Sequence, residues 1–300
     1  MKIFFAKASV SALFVLSFLF GGLVQAQESS TSLLPLTTTP ASHLPLPQEN
    51  FWSFSLANET TMAASNLHYA SAAKSYGAVN FAGLQYKPNG IHTFGLRQYF
   101  TLNHDGPKGS DTTTLDDTVF LYARNGVSGV FNSNPLDLSF RYYVPTSQAS
   151  RRINSLGTLR MDLEAAWTLN PKWKVSYYFN PAQTFVSDTQ GIDGEGQPTA
   201  VSATTTLSHY GNIYYSFNDD VNAYTYAGLS HKWKTSPGTL SDEETILGLG
   251  ADFNFIGGRL TVNPEIAVAS PRVAKAVRAP AEKIIQEKNL SYILTSQIVF

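Results

Sequence analysis

The sequence contains no cysteine. Disulfides and thiolate metal sites are therefore excluded, and so is the lipid-modified cysteine of a lipoprotein. Charge is sparse: Asp, Glu, Lys and Arg make up 14% of 300 residues, with a formal net charge of −1. Without a basic excess, nucleic acid is not expected as a partner. Beyond residue 26 there is no run of 18 or more apolar residues, so no transmembrane helix is expected there. No Gly-rich phosphate cradle occurs either.

The chain does have a marked beginning. Lys2 and Lys7 bracket the start of an apolar stretch from Ala8 to Leu23, followed by Val24-Gln25-Ala26. A basic start, an apolar centre and a small-residue site read as a secretory signal peptide over 1–26, cleaved before Gln27. Cleavage would leave 274 residues (300 less 26) and, with Lys2 and Lys7 gone, a net charge of −3. Residues 27–48 are rich in Ser, Thr, Leu and Pro without a period, and read as an extended lead-in. The folded domain is expected over 49–300.

From Phe51 onward the period is two. Twelve segments read as strands: Phe51–Asn58, Gly77–Lys87, His92–Asn103, Asp117–Arg124, Leu136–Val144, Leu159–Leu169, Trp173–Gln183, Leu207–Phe217, Val221–Lys234, Thr245–Phe255, Leu260–Ala269 and Leu290–Phe300. Short turns such as Pro88-Asn89-Gly90, Asn170-Pro171-Lys172, Asn218-Asp219-Asp220 and Gly257-Gly258 alternate with longer connections. Faces separate cleanly. In Leu159–Leu169 the leucines, Met161 and Trp167 share one side, and Arg160, Asp162 and Glu164 share the other. Trp52, Trp167, Trp173 and Trp233 each lie close to a strand end, as an interfacial aromatic girdle requires. This pattern predicts an all-β fold, a transmembrane antiparallel up-and-down barrel of about twelve strands. A soluble sandwich would also alternate, but it does not require every second connection to be long.

The last strand also ends the chain. Tyr292, Leu294, Ile298 and Phe300 alternate on one side, with Ser296 as the one polar interruption. This ending resembles the final strand of Gram-negative outer-membrane β-barrel proteins. The resemblance implies that Tyr292, Leu294, Ile298 and Phe300 are read by the barrel-assembly machinery, and that the chain resides in the bacterial outer membrane with its short turns periplasmic. Some twelve-stranded barrels of this kind are phospholipases, which carry Ser two residues after His on one strand face. Here the residues two after each His are Pro45, Ala70, Phe94, Gly106, Gly211 and Trp233, so no catalytic residue is expected.

On the polar side the expected lumen groups are Arg97, Arg141, Arg160, Lys174, Lys232 and Lys234 against Asp137, Asp162, Glu164, Asp252 and Glu265, joined by Tyr99, Tyr143, Tyr178, Tyr224 and Tyr226. Such a lining suits a narrow, mixed-charge, monomeric channel for small polar solutes. It suits equally a closed scaffold working through its outer loops, with a lipid-modifying enzyme as a minor third reading. No cofactor is implied. Asp188, Asp193 and Glu195 space three carboxylates in a Gly-rich loop, which fits either Ca²⁺ or plain solvated charge but not the EF-hand spacing. The basic residues of Ser270–Asn289 fit lipopolysaccharide phosphates, a loop folded over the mouth, or a solvated charge run.

Overall fold

A computed structural model of the chain describes residues 51–63, 75–105, 112–131, 134–188, 190–192, 196–200, 204–233, 240–271 and 290–300. The signal peptide over 1–26, the lead-in over 27–48, Lys234, Asp193, Glu195 and 272–289 lie outside the described residues.

In chain order the strands are β1 (Trp52–Ala63), β2 (Ser75–Tyr86), β3 (His92–Asp105), β4 (Thr112–Phe131) and β5 (Asn134–Val144). A short helix α1 (Gln148–Arg152) precedes β6 (Ser155–Asn170) and β7 (Trp173–Val186). The strands β8 (Gln190–Ile192) and β9 (Pro198–Ala200) are followed by β10 (Thr205–Ser216), β11 (Val221–Trp233), β12 (Leu240–Phe255), β13 (Leu260–Pro271) and β14 (Leu290–Val299). Twelve of these close one antiparallel barrel in the order β1-β14-β13-β12-β11-β10-β7-β6-β5-β4-β3-β2, while β8 and β9 pair only with each other.

Closure joins the two ends of the chain. Ser55 pairs with Val299 and Ala63 with Ser291, and the backbones of Phe54 and Phe300 exchange hydrogen bonds of 3.3 and 2.8 Å. A closed sheet has no free edge, so its backbone groups are satisfied without water, as a bilayer demands. The even strand count returns both ends of the barrel domain to one side. No helix among the described residues is long and apolar enough to cross a membrane.

Three of the short turns share one device. Asn89 Oδ1 accepts from the backbone N–H of Ile91 and His92, Asn170 Oδ1 from Lys172 and Trp173, and Asn218 Oδ1 from Asp220 and Val221, all at 2.7–3.1 Å. One Asn side chain thus satisfies two turn donors each time. The turn before β13 instead uses positive φ at Ile256, Gly257 and Gly258.

Two connections differ from the sequence reading. The Gly/Asn/Pro-rich stretch after Arg124 was expected to be a loop, but β4 and β5 stay paired to Phe131↔Asn134 with register shifts on either side of Val127. Gly126, at φ 69°, takes up the irregularity, so the stretch forms bulges rather than a turn. The connection Pro145–Thr158 holds α1, which Ser147 caps by accepting from Ser150 N at 3.0 Å. Asp117 of β4 holds this helix to the wall by accepting from Ser147 N at 2.9 Å and Ser150 Oγ at 2.5 Å.

The two faces of the wall differ as the alternation predicts. Outside, Leu84, Leu96, Phe120, Leu159, Ile213, Leu249 and Ile266 are between 42% and 60% exposed. A soluble sandwich would bury such a band between sheets; here it surrounds a single closed sheet. Inside, Arg97, Arg141, Arg160, Tyr178, Tyr226 and Glu265 are each under 9% exposed.

Candidate functional site: the polar belt inside the barrel

Strand register decides which inner side chains meet. Pairing β5 with β6 sets Arg141 opposite Arg160 and Ser139 opposite Asp162. Asp162 then lies between the two guanidiniums, at 2.9 Å from Arg141 Nε and 2.6 Å from Arg160 Nε. Asn180 Nδ2 on β7 donates to Asp162 at 2.5 Å, and Ser139 Oγ donates to it at 3.1 Å. All three charged side chains are close to nine-tenths buried or more. Two charges that disfavour each other on neighbouring strands are tolerated because one carboxylate serves both.

The belt continues through aromatic rings. Tyr178 of β7 stacks on Tyr210 of β10, with ring centroids 5.0 Å apart, and Tyr210 approaches Tyr226 of β11 at 5.8 Å. Tyr226 and Tyr224 each donate a hydroxyl hydrogen to Glu265 of β13 at 2.6 Å, one to each carboxylate oxygen. Tyr224 lies also 2.9 Å from Asn263 Oδ1, and Asn263 Nδ2 donates to Asp252 of β12 at 2.5 Å. Side chains from β5 round to β13 are therefore in near-continuous contact. Hydrogen bonds to a charged acceptor contribute about 1.5–3 kcal/mol each.

Glycines make room for these rings. A Cβ at Gly248 would meet the ring of Tyr226, and one at Gly250 would meet the ring of Tyr224. Each tyrosine thus leans back over the bare backbone of β12 instead of projecting straight across the bore.

Nearer the barrel's ends lie simpler pairs. Lys174 Nζ is 3.5 Å from Glu164 and 5.6 Å from the Tyr214 ring centroid. Lys232 pairs with Glu244 at 3.3 Å toward the long-connection end. Asp137 shares the inner face by register, but it is exposed and accepts from Gly126 N at 2.8 Å. Tyr143 is buried opposite Val119, and Tyr99 approaches Phe81 at 5.2 Å beside the β3 bulge. Arg97 lies with its Cζ 4.7 Å from the Phe81 ring centroid.

Charge is mixed round the ring, with Asp162 and Glu164 on β6 beside the arginines and Lys232 on β11 beside β12. Arg97, Arg141 and Arg160 come from β3, β5 and β6, whereas Asp252 and Glu265 come from β12 and β13. In the strand order β13 stands half-way round from β5, so Glu265 and Asp252 lie across the ring from these arginines.

The sequence reading did not single out Tyr210, Tyr214, Asn180 or Asn263, all of which belong to the belt. The alternation Ser208, Tyr210, Asn212, Tyr214, all buried, was the available signal for β10.

On the outer face, Trp52 (58% exposed) and Trp173 (42% exposed) flank the short-turn end, where each packs on a tyrosine: Tyr86 at 4.7 Å and Tyr215 at 4.8 Å. Trp167 sits three residues before the end of β6, on the same side of the barrel. Trp233 ends β11 at the opposite rim, stacked on His231 at 5.8 Å. His209 faces outward too, with Nδ1 3.2 Å from the Tyr177 hydroxyl. Tyr292, Leu294 and Ile298 lie along β14, and Phe300 packs on Phe54 at 6.1 Å. Among the described residues no three His, Asp or Glu side chains gather as a metal site; Asp188 is exposed.

No family model and no curated protein matches this sequence. Among solved structures it is similar to an outer-membrane channel from Pseudomonas putida F1, with a TM-score of 0.54 and 14% identity over 83% of this chain and 94% of that one. The KdgM porin in complex with disordered oligogalacturonate aligns at a TM-score of 0.44 and 12% identity, over 83% of this chain and 99% of that one. The β domain of the Bordetella autotransporter BrkA aligns at 0.45 and 12%, over 83% and 98%. At such identities the likeness is one of fold: a closed twelve-stranded outer-membrane β-barrel.

Proposed function

We propose that the protein is an outer-membrane channel through which small polar solutes diffuse. The observation that carries this reading is the belt itself. It lines the inside with polar and mixed-charge groups, the arginines facing Asp252 and Glu265 across the ring, within an apolar outer surface, as the wall of an aqueous pore does. Fixed charges and tyrosine edges replace part of a solute's hydration as it passes, and their mixed sign gives weak ion selectivity. Gly248 and Gly250 let Tyr226 and Tyr224 lean against the wall instead of projecting across the bore.

A second reading, a closed scaffold acting through its long connections, draws on the low exposure of the belt: Asp252 is 1% and Ser230 0% exposed. Planar-bilayer recording of the refolded, heat-modifiable protein separates the two. Steady unitary currents support the channel. Silence from correctly folded barrel supports the scaffold.

A further inference from the structure

Arg97 differs from the other belt cations. Arg141 and Arg160 share Asp162, Lys174 has Glu164 and Lys232 has Glu244. Arg97 is 6% exposed, and among the described residues it has no carboxylate or hydrogen-bond partner; its Nε, like that of Arg141, is buried without a hydrogen bond, but Arg141 still has Asp162 at 2.9 Å. Among the described residues the directed contact of Arg97 is with the Phe81 ring. Leaving a buried guanidinium unpaired is costly, and the cost is removed if a ligand brings the missing charge.

The surroundings are shaped for such a ligand. Gly83 lies opposite Arg97 on β2, and a Cβ there would come within 3.2 Å of Arg97 Cγ and 3.0 Å of Ser55 Oγ. The absent side chain lets the Arg97 stem lie close over the bare backbone of β2. Phe81 contacts the guanidinium through its ring face, 4.7 Å from Cζ to centroid, a contact that uses none of the N–H donors. Arg141 and Arg160, which together have one carboxylate, add to the positive potential on this arc.

We propose that Arg97 is the anion-binding subsite of the lumen, taking the carboxylate of a small organic acid in a bidentate pair. The subsite rests on the channel reading for its transport role, but binding itself does not require through-flow. The assay therefore has two arms, both using the refolded full barrel with succinate as probe and erythritol as neutral control. In detergent, calorimetry reads binding; in planar bilayers, the chloride current reads block.

Wild type is expected to bind succinate and not erythritol. Arg97→Met, which keeps the stem against Phe81, is expected to weaken binding at least tenfold, and Arg97→Lys to retain part of it. Ser55→Asp sets an internal carboxylate beside the subsite and should compete succinate away even if Arg97→Met fails to fold. Arg259→Gln, in the exposed turn before β13, should change nothing. Equal succinate affinity in wild type, Arg97→Met and Ser55→Asp overturns the subsite, as does the absence of binding in wild type. Binding without current would retain the subsite while removing the channel.

Discussion

Replacing Asp162 with Asn keeps the shape of the belt's central side chain and removes its charge. Arg141 and Arg160, both 8% exposed at the side chain, would then face each other across neighbouring strands with no carboxylate between them. Asn180 and Ser139, which now donate to that carboxylate at 2.5 and 3.1 Å, would meet a weaker acceptor. Breaking a buried pair by removing one partner costs about 3–5 kcal/mol, because the charge left behind is uncompensated. Two guanidiniums depend on Asp162, so the upper part of that range is expected. Urea unfolding in lipid vesicles, followed by tryptophan fluorescence, measures the loss. A companion cycle with Arg141→Met should recover only part of it in the double variant, since the repulsion between the two guanidiniums goes while Arg160 still has no carboxylate. In bilayer recordings Asp162→Asn should also shift permeability toward anions. A loss under about 1 kcal/mol, the size typical of exposed pairs, would refute the argument that this triad is buried and mutually dependent.

Other perturbations probe separate parts of the wall. Gly248→Ala places a methyl group against the Tyr226 ring; the ring must shift and loosen its 2.6 Å bond to Glu265, lowering stability by about 1–3 kcal/mol in the same urea assay. Leu163→Arg puts a charge on the outer face half-way along β6 and should cost about 2–4 kcal/mol in lipid, while Leu169→Arg at the strand end should cost about 0–1. Deleting Phe300 removes its contact with Phe54 and two closing backbone bonds; assembly into vesicles containing the insertion machinery should slow, with little change in the stability of barrels already folded.

The wall was legible because its rules are local. Apolar alternation in Leu159–Leu169 fixed which side of β6 faces out, and Asn89, Asn170 and Asn218 marked turns by chemistry that acts within three residues. The belt was legible only in part. Arg141, Arg160 and Asp162 could be assigned to the inner face, but their meeting depends on β5–β6 register across the connection that holds α1, and loop length does not specify register. In β10 both faces carry rings, with Tyr210 and Tyr214 inside against His209 and Tyr215 outside, so no apolar stripe singled out the inner pair. The α1 turn and the β8–β9 hairpin are too short for any period to show. Bulges after Arg124 kept paired a stretch whose Gly, Asn and Pro content reads as loop.

The direction each strand face points decides whether a lumen exists, and the absence of native cysteine makes that direction measurable. Single cysteines at Ala223, Thr225 and Ala227 of β11, and at Asn222 and Thr206 of the inner face, can each carry a nitroxide in barrels refolded into lipid vesicles. Power-saturation spectroscopy then compares collisions with oxygen, which concentrates in lipid, against collisions with a water-soluble nickel chelate. The fold described here predicts high oxygen and low nickel accessibility at 223, 225 and 227, and low oxygen accessibility at 222 and 206. Loss of that alternation, or its reversal, would contradict it.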